Sequence, residues 1–389
     1  MGSRLHHLEC ARCGRAHDAG VLHNRCACGG TLLARYDLSP LSLQPVRARP
    51  PGMWRYRELL PLRGEPVSLG EGPTPLLLLS RLSERFRAEV FVKDDGPLPS
   101  GTFKARGAAT GLSRAAELGA QAVVMPSAGN AGAAWSLYAA RAGIALTVTM
   151  ARSAPEENKE EVRLAGAELV EVDGTIADAA AAAREISSAT GAYLAATFAE
   201  PYRVEGKKSA WLECFDQLGD GASMRLPGTV VTSVGGGVAA VACAKAAEEV
   251  CALGWTGDPP PVVCGVQSEE CAPIARAFEA GAESADPWDG EPATIAAGLR
   301  VPAPSEADLV LRVVRTSGGA MVAVSDGAIR AAVEELASAE GILVCPEGAA
   351  TLAALPLLAR GGELRGPVVL YNTGAAGKYL GALARGSAP

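Results

Sequence analysis

Pro99-Ser100-Gly101-Thr102-Phe103-Lys104-Ala105-Arg106-Gly107 is the stretch on which the reading of the chain turns. The segment before it, Glu89-Val90-Phe91-Val92-Lys93, alternates apolar and polar residues and predicts a strand. The segment after it, from Ala105 to about Leu118, is rich in Ala, Leu and Glu and predicts a helix. A lysine just past a Pro-Ser-Gly turn, at a strand-to-helix junction, stands where α/β sheets hold ligands. A lysine that forms a Schiff base needs a depressed pKa, which desolvation and nearby positive charge supply. Arg106 and the helix N-terminus are sources of that charge. Taken alone, the stretch equally describes an exposed lysine in the first turn of a helix. The rest of the chain decides between the two.

With 389 residues, the chain is too long for one small core. A hydrophobic content of 48% with only 5% aromatics suits an α/β enzyme more than a β-sandwich. No apolar run reaches the ~18 residues of a membrane span. The opening Met1-Gly2-Ser3-Arg4-Leu5-His6-His7 lacks a signal-peptide core and the Ser or Thr of a myristoylation signal. A net charge of −7 argues against nucleic acid as the main partner. Ten cysteines without an export signal point to reduced thiols and metal ligands, and a cytoplasmic location is expected. All four histidines, His6, His7, His17 and His23, fall at the front. A serine-histidine-acid triad or a His-ligated catalytic metal in the main body is therefore excluded. Proton transfer there falls to Lys, Asp, Glu, Tyr, Cys or a cofactor.

Cys10-Ala11-Arg12-Cys13 and Cys26-Ala27-Cys28 form two cysteine knuckles, each followed by glycine. Four thiolates in two close pairs fit a structural zinc site, although Cys-x-Cys is one residue shorter than usual. An empty remnant is the alternative, and either His17 or His23 could replace a cysteine. Four cysteine ligands leave no open position for catalysis. From Tyr36 to about Pro66 the chain reads as an ordered connecting arm anchored by Met53, Trp54 and Tyr56, followed by the turn Glu71-Gly72-Pro73-Thr74-Pro75.

Strands and helices then alternate. The strand Ala122 to Pro126 runs into Ser127-Ala128-Gly129-Asn130-Ala131-Gly132 and a helix to about Ala142. Small residues at such a start leave N–H groups for a carboxylate or phosphate, or Ser127 or Asn130 is an ordinary N-cap. Further units are Ala145–Met150, Glu156–Ala165, Glu168–Val172 and Ile176–Thr190, and a helix follows Glu200-Pro201-Tyr202-Arg203-Val204-Glu205-Gly206-Lys207-Lys208. That charge cluster faces either solvent or a ligand. The strand Thr229 to Ser233 enters Val234-Gly235-Gly236-Gly237-Val238, whose N–H groups can wrap a phosphate, and which matches neither GxGxxG nor Walker A. A strand at Val262–Gln267, a helix at Asp326–Ala339, a helix start at Pro346-Glu347-Gly348 and a strand at Pro367–Tyr371 complete the alternation. Thr373, just after, offers a hydroxyl to a ring nitrogen or caps the last helix. Repeated βα units predict doubly wound parallel sheets.

A ligand with a phosphate, an aldehyde for a lysine and a ring nitrogen for a hydroxyl accounts for these loops together, and pyridoxal 5'-phosphate is the economical choice. From about Leu69 to Lys378 the chain resembles the threonine synthases among fold type II pyridoxal-phosphate enzymes. The shared segments are GEGPTPL, KDDGPLPSGTFKARGA, PSAGNAG, EPYRVEGKK, VGGG, CPEGAAT and NTGAAGKY, in the family's order. The resemblance implies two α/β lobes of the fold type II kind behind a zinc-ribbon-like segment at 1–40. The catalytic region would be 41–389, with a smaller lobe of roughly 105–205 inserted in the larger. It implies that Lys104, next to Phe103, forms the Schiff base and shuttles protons. Asn130 would meet the cofactor's 3-hydroxyl oxygen, and Ser127, Ala128, Gly129 and Asn130 would form the substrate-carboxylate site. Val234, Gly235, Gly236, Gly237 and Val238 would hold the cofactor phosphate, and Thr373 would face the pyridine nitrogen. Arg203 matches a position that can bind substrate phosphate, and Cys10, Cys13, Cys26 and Cys28 would be the zinc ligands. Two departures stand out. Ala105 replaces an acidic residue, and Thr197-Phe198-Ala199 puts an aromatic where small polar residues are common. The implied reaction converts O-phosphohomoserine and water to threonine and phosphate. Elimination or replacement at Cβ of serine, threonine or a phosphoserine-like amino acid is the alternative, and a non-catalytic regulatory or scaffold protein is a third. The expected partners are a small amino-acid substrate and a second copy of the chain, with neither nucleic acid nor membrane.

Overall fold

Strand–helix alternation is realised in two separate sheets in the computed structural model, which describes residues 2–362 and 364–384. Contacts divide the chain into two units. One gathers the N-terminal segment to Ser39, Arg49–Gly72 and Phe103–Ser209; the other gathers Pro40–Ala48, Pro73–Thr102 and the chain from Ala210 onward.

The first unit begins with three antiparallel strands, β1 (Leu5–Cys10), β2 (Ala16–His17) and β3 (Leu32–Tyr36), in the order β2-β1-β3. Its main sheet comes from β6 (Ala122–Pro126), β7 (Ala145–Ala151), β8 (Glu168–Val172) and β9 (Tyr193–Leu194), all parallel, in the order β8-β7-β6-β9. From β6 the chain winds outward to β7 and β8 on one side, and β9 returns on the other. The carboxyl ends of β6 and β9 therefore form a topological switch point, the usual place for a ligand crevice in an open α/β sheet.

The second unit is built on β4 (Leu76–Leu78), β5 (Val90–Asp94), β10 (Thr229–Ser233), β11 (Val262–Ser268), β12 (Met321–Val324) and β13 (Val368–Asn372). Their order is β12-β11-β10-β13-β5-β4, parallel except for β4 at the edge. β11 and β13 are buried along their whole length, as expected for strands covered on both faces. Val92, Val231, Val266, Leu352, Leu355 and Leu370 lie in one core cluster. Each such side chain contributes about 1.5–3 kcal/mol through burial.

Boundaries follow the expected pattern closely in the βα units, with two differences. The helix expected over Asp326–Ala339 stops at Glu335 and continues as a π-type turn, Leu336–Glu340, before the left-handed Gly341. The front segment, expected as knuckles alone, forms the β1–β3 sheet and clusters with Phe103–Ser209. Main-chain carbonyls explain that placement. Asn24 Nδ2 donates to Leu194 O at 2.5 Å, Arg114 Nη2 to Ala19 O at 2.7 Å, and Tyr193 OH to His23 O at 3.0 Å. No helix of the described residues is long and apolar enough to cross a membrane.

Candidate active site

Lys104 opens the helix Lys104–Glu117, with Phe103 as its N-cap residue and no side-chain cap. Lys104 and Phe103 are half-buried, and Lys104 Nζ lies 4.6 Å from the Phe103 ring centroid. A second helix, Tyr202–Leu218, crosses close by. The crossing depends on glycine, because a Cβ on Gly206 would sit 2.0 Å from Arg106 O. A Cβ on Gly107 would press on Arg203 at 3.2 Å and on Lys207 Nζ at 3.4 Å. Two glycines thus let a helix carrying Arg203 and Lys207 lie against the one that starts at Lys104.

Arg203 is 2% exposed. Its Nη1 donates to Thr197 Oγ1 at 3.1 Å, its Nη2 donates to Ala195 O, and its guanidinium lies 4.8 Å over Trp135. Its two Nη atoms thus hold the loop that follows β9, while its buried Nε, 3.8 Å from Glu200 Oε2, has no hydrogen-bond partner among the described residues. Glu200 accepts from Tyr202 N and Arg203 N, each at 2.8 Å. Burial pushes the Glu200 carboxyl up, against the pull of Arg203 and those donors. Burial, then the positive charges of Lys104 and Arg203, hold the Lys207 ammonium well below its ordinary value. Glu200 opposes that shift with the weakest influence of the four. Sequence does not single out Lys207 or Glu200. Their signal is the charge cluster before a helix, which alone does not say which charges are buried.

At the end of β6, Ser127 is buried, Ala128 is exposed and Asn130 is half-buried. Neither Ser127 nor Asn130 is the N-cap of Asn130–Ala142; that residue is Gly129, at φ +146. Ser127 Oγ instead accepts from Gly129 N at 3.0 Å and Gly132 N at 2.8 Å, which fixes the turn. Asn130 Oδ1 accepts from Asn158 Nδ2 at 3.0 Å, so the amide is oriented by a residue outside the motif. Ser127–Asn130, after β6, and the loop of residues 195–201, after β9, stand side by side at the switch point of this sheet.

In the second unit, β10 and β13 are adjacent and parallel, so Val234–Gly237 and Thr373 leave the sheet at the same, carboxyl, end of its strands. Gly237 has φ +82 and caps the helix Val238–Ala252. A Cβ there would meet Val310 Cγ2 at 2.2 Å, and one on Gly235 would meet Gly298 O at 2.4 Å. Only glycine lets this loop seat itself so that main-chain N–H groups open the helix, a cradle that fits a phosphate monoester. Thr373 is buried and does not cap the last helix; its Oγ1 lies 3.6 Å from Cys345 Sγ. Cys345 Sγ also donates to Asn372 Oδ1 at 3.1 Å, and Asn372 Nδ2 to Asp94 Oδ1 at 2.7 Å. A hydroxyl at this end of the strands suits a ring nitrogen. The donor set thus fits pyridoxal phosphate.

The four front cysteines converge. Their sulfurs all lie within 4.8 Å of one another, with Cys10–Cys28 at 3.4 Å, Cys13–Cys28 at 3.5 Å and Cys13–Cys26 at 3.7 Å. Tetrahedral zinc with Zn–S bonds near 2.3 Å sets sulfurs about 3.8 Å apart, so the set fits the metal. The short Cys-x-Cys spacing does not prevent convergence. His17 and His23 lie outside that group, their rings 5.3 Å apart against each other.

The chain belongs to the pyridoxal-phosphate dependent enzymes, whose family profile matches residues 67–374. Within that family it is similar to threonine synthases. It is 35% identical to the threonine synthase of Methanosarcina acetivorans, over 90% of this chain and 86% of that protein. It is 34% identical to that of Methanocaldococcus jannaschii, over 90% of this chain and 87% of that protein. Among solved structures, a threonine deaminase from T.th. matches with a TM-score of 0.66 and 28% identity, covering 86% of this chain and 98% of that one.

Proposed function

We propose that the chain converts O-phosphohomoserine and water to threonine and phosphate. The likeness to threonine synthases along 90% of the chain carries this reading. Pyridoxal phosphate, when bound, supplies an aldehyde for an amine and a ring that withdraws electrons from the substrate. Gly235, Gly236 and Gly237, flanked by Val234 and Val238, would hold its phosphate through main-chain N–H groups. Thr373 would donate to or accept from its ring nitrogen, a weaker stabiliser of ring charge than a carboxylate. Asn130 would orient its 3-oxygen, and Ser127, Ala128 and Gly129 would bind the substrate carboxylate at a helix start.

Lys104 would take the proton from Cα and return protons as phosphate leaves Cγ and water adds at Cβ. Half-burial beside Phe103 reduces that amine's exposure to bulk water. Arg203, held by Ala195 and Thr197, would form the cationic wall near the departing phosphate. Cys10, Cys13, Cys26 and Cys28 would hold a structural zinc. We read 1–40 as the zinc-bearing segment and 41–389 as the catalytic region. The chain would act in the cytoplasm, and it would do so as a homodimer, which Leu77 and Leu78 exposed on the edge strand β4 support.

The threonine deaminase likeness favours a second reading, release of ammonia and a keto acid from threonine or serine. Purified holoenzyme assayed for phosphate from O-phosphohomoserine, and for keto acid from threonine and serine, separates them. Phosphate release abolished by Lys104→Ala is the expected result. Keto acid alone would transfer the assignment to the second reading.

A further inference from the structure

Two lysines follow each other in the Tyr202–Leu218 helix, and they differ in their partners. Lys208 Nζ pairs with Glu205 Oε2 at 2.6 Å, and both side chains are fully buried. Lys207 is 4% exposed, and among the described residues no carboxylate forms an ion pair with it. Its Nζ lies 5.3 Å from the centroid of Phe103, the ring that also carries Lys104 Nζ. Glu200 is already engaged by two main-chain N–H groups and by Arg203 at 3.8 Å. Arg203 itself spends its Nη atoms on Thr197 and Ala195. A buried ammonium without an ion-pair partner is costly, and a site carrying excess positive charge beside Lys104 suits an anion that arrives with the substrate.

We propose that Lys207 is a specificity-determining residue that receives the anionic group of the substrate, of the phosphate monoester class, next to Lys104. This rests on the reading of the substrate as a phosphorylated amino acid. Lys207 supplies an uncommitted ammonium, and Arg203, whose buried Nε has no hydrogen-bond partner among the described residues, stands behind it.

The test uses holoenzyme, so that the cofactor's own phosphate is already in place, and titrates inorganic phosphate by calorimetry into wild type, Lys207→Met, Lys207→Gln and Lys207→Arg. Wild type should bind phosphate. The Met and Gln variants should bind it about tenfold to a hundredfold more weakly, the effect of one charge-assisted hydrogen bond, and Arg should retain it. In phosphate-free buffer Lys207→Met should melt higher than wild type, because it removes an unpaired buried charge. With O-phosphohomoserine, KM should rise in the Met variant while kcat stays within about threefold, the pattern of lost uniform binding. No phosphate binding by wild type, or equal binding by Lys207→Met, overturns the proposal. A fall in kcat with KM unchanged also overturns it and assigns Lys207 to proton transfer. Phosphate binding that depends on Lys207, in an enzyme that does not turn over O-phosphohomoserine, sustains this site while removing the substrate reading.

Discussion

Thr31 Oγ1 donates to the main-chain carbonyl of Phe198 across 2.5 Å, and both residues are buried. Phe198 has φ +59, a left-handed conformation that a residue with a bulky side chain adopts only under constraint. Thr31 follows the second cysteine knuckle, and Phe198 sits in the loop that Arg203 grips. The cysteine segment therefore fixes the backbone of the candidate substrate loop.

Thr31→Val removes the donor and leaves a buried carbonyl unsatisfied. A loss of about 1–3 kcal/mol in unfolding free energy is expected. If the bond also positions the loop, KM for the substrate should rise more than kcat falls, and Thr31→Ser should restore both. Denaturant melts and steady-state kinetics check the pair of effects.

The convergence of Cys10, Cys13, Cys26 and Cys28 predicts one zinc per chain by elemental analysis. Removing it with a chelator, or replacing Cys26 with Ser, should lower Tm and loosen the segment that carries Thr31, because metal binding contributes folding free energy. An unchanged Tm with no metal found would make the cluster an empty remnant.

Lys208 and Lys207 should respond in opposite directions to the same substitution. Lys208→Met leaves Glu205, which also accepts from Tyr36 OH at 3.0 Å, buried without its cation. A cost of about 3–5 kcal/mol is expected for breaking such a pair.

Much of this arrangement is legible in the amino-acid sequence alone. Lys104, the Gly235–Gly237 loop and Ser127–Asn130 all sit at strand-to-helix turns, and the period of the flanking residues marks those turns. What is not legible depends on residues far apart in sequence. That Arg203 also anchors the loop after β9, through Ala195 and Thr197 and over Trp135, is not visible in its motif. Lys207 reads as one charge among several until Gly107 and Gly206 bring its helix against that of Lys104. The front strands leave little periodic signal, because β2 is only two residues long.

Glu71 gives a signature in pH. Burial disfavours its charge, but donors from Ser68, Tyr138, Leu69 and Trp54 outweigh that and hold the carboxyl below its ordinary value. A lowered folded-state pKa contributes stability that is present above the unfolded carboxylate value, near ~4.3, and is lost as pH falls through the folded one. The Tm difference between wild type and Glu71→Gln should therefore be constant around neutrality and shrink in acid below that value.

The central claim is a covalent bond between the Lys104 amine and the cofactor, and reduction followed by peptide mapping tests it most directly. Borohydride treatment of the holoenzyme should leave a phosphopyridoxyl group on the peptide containing Lys104 and on no other. A label on a different lysine, or no label in a protein that carries the cofactor, would contradict the account.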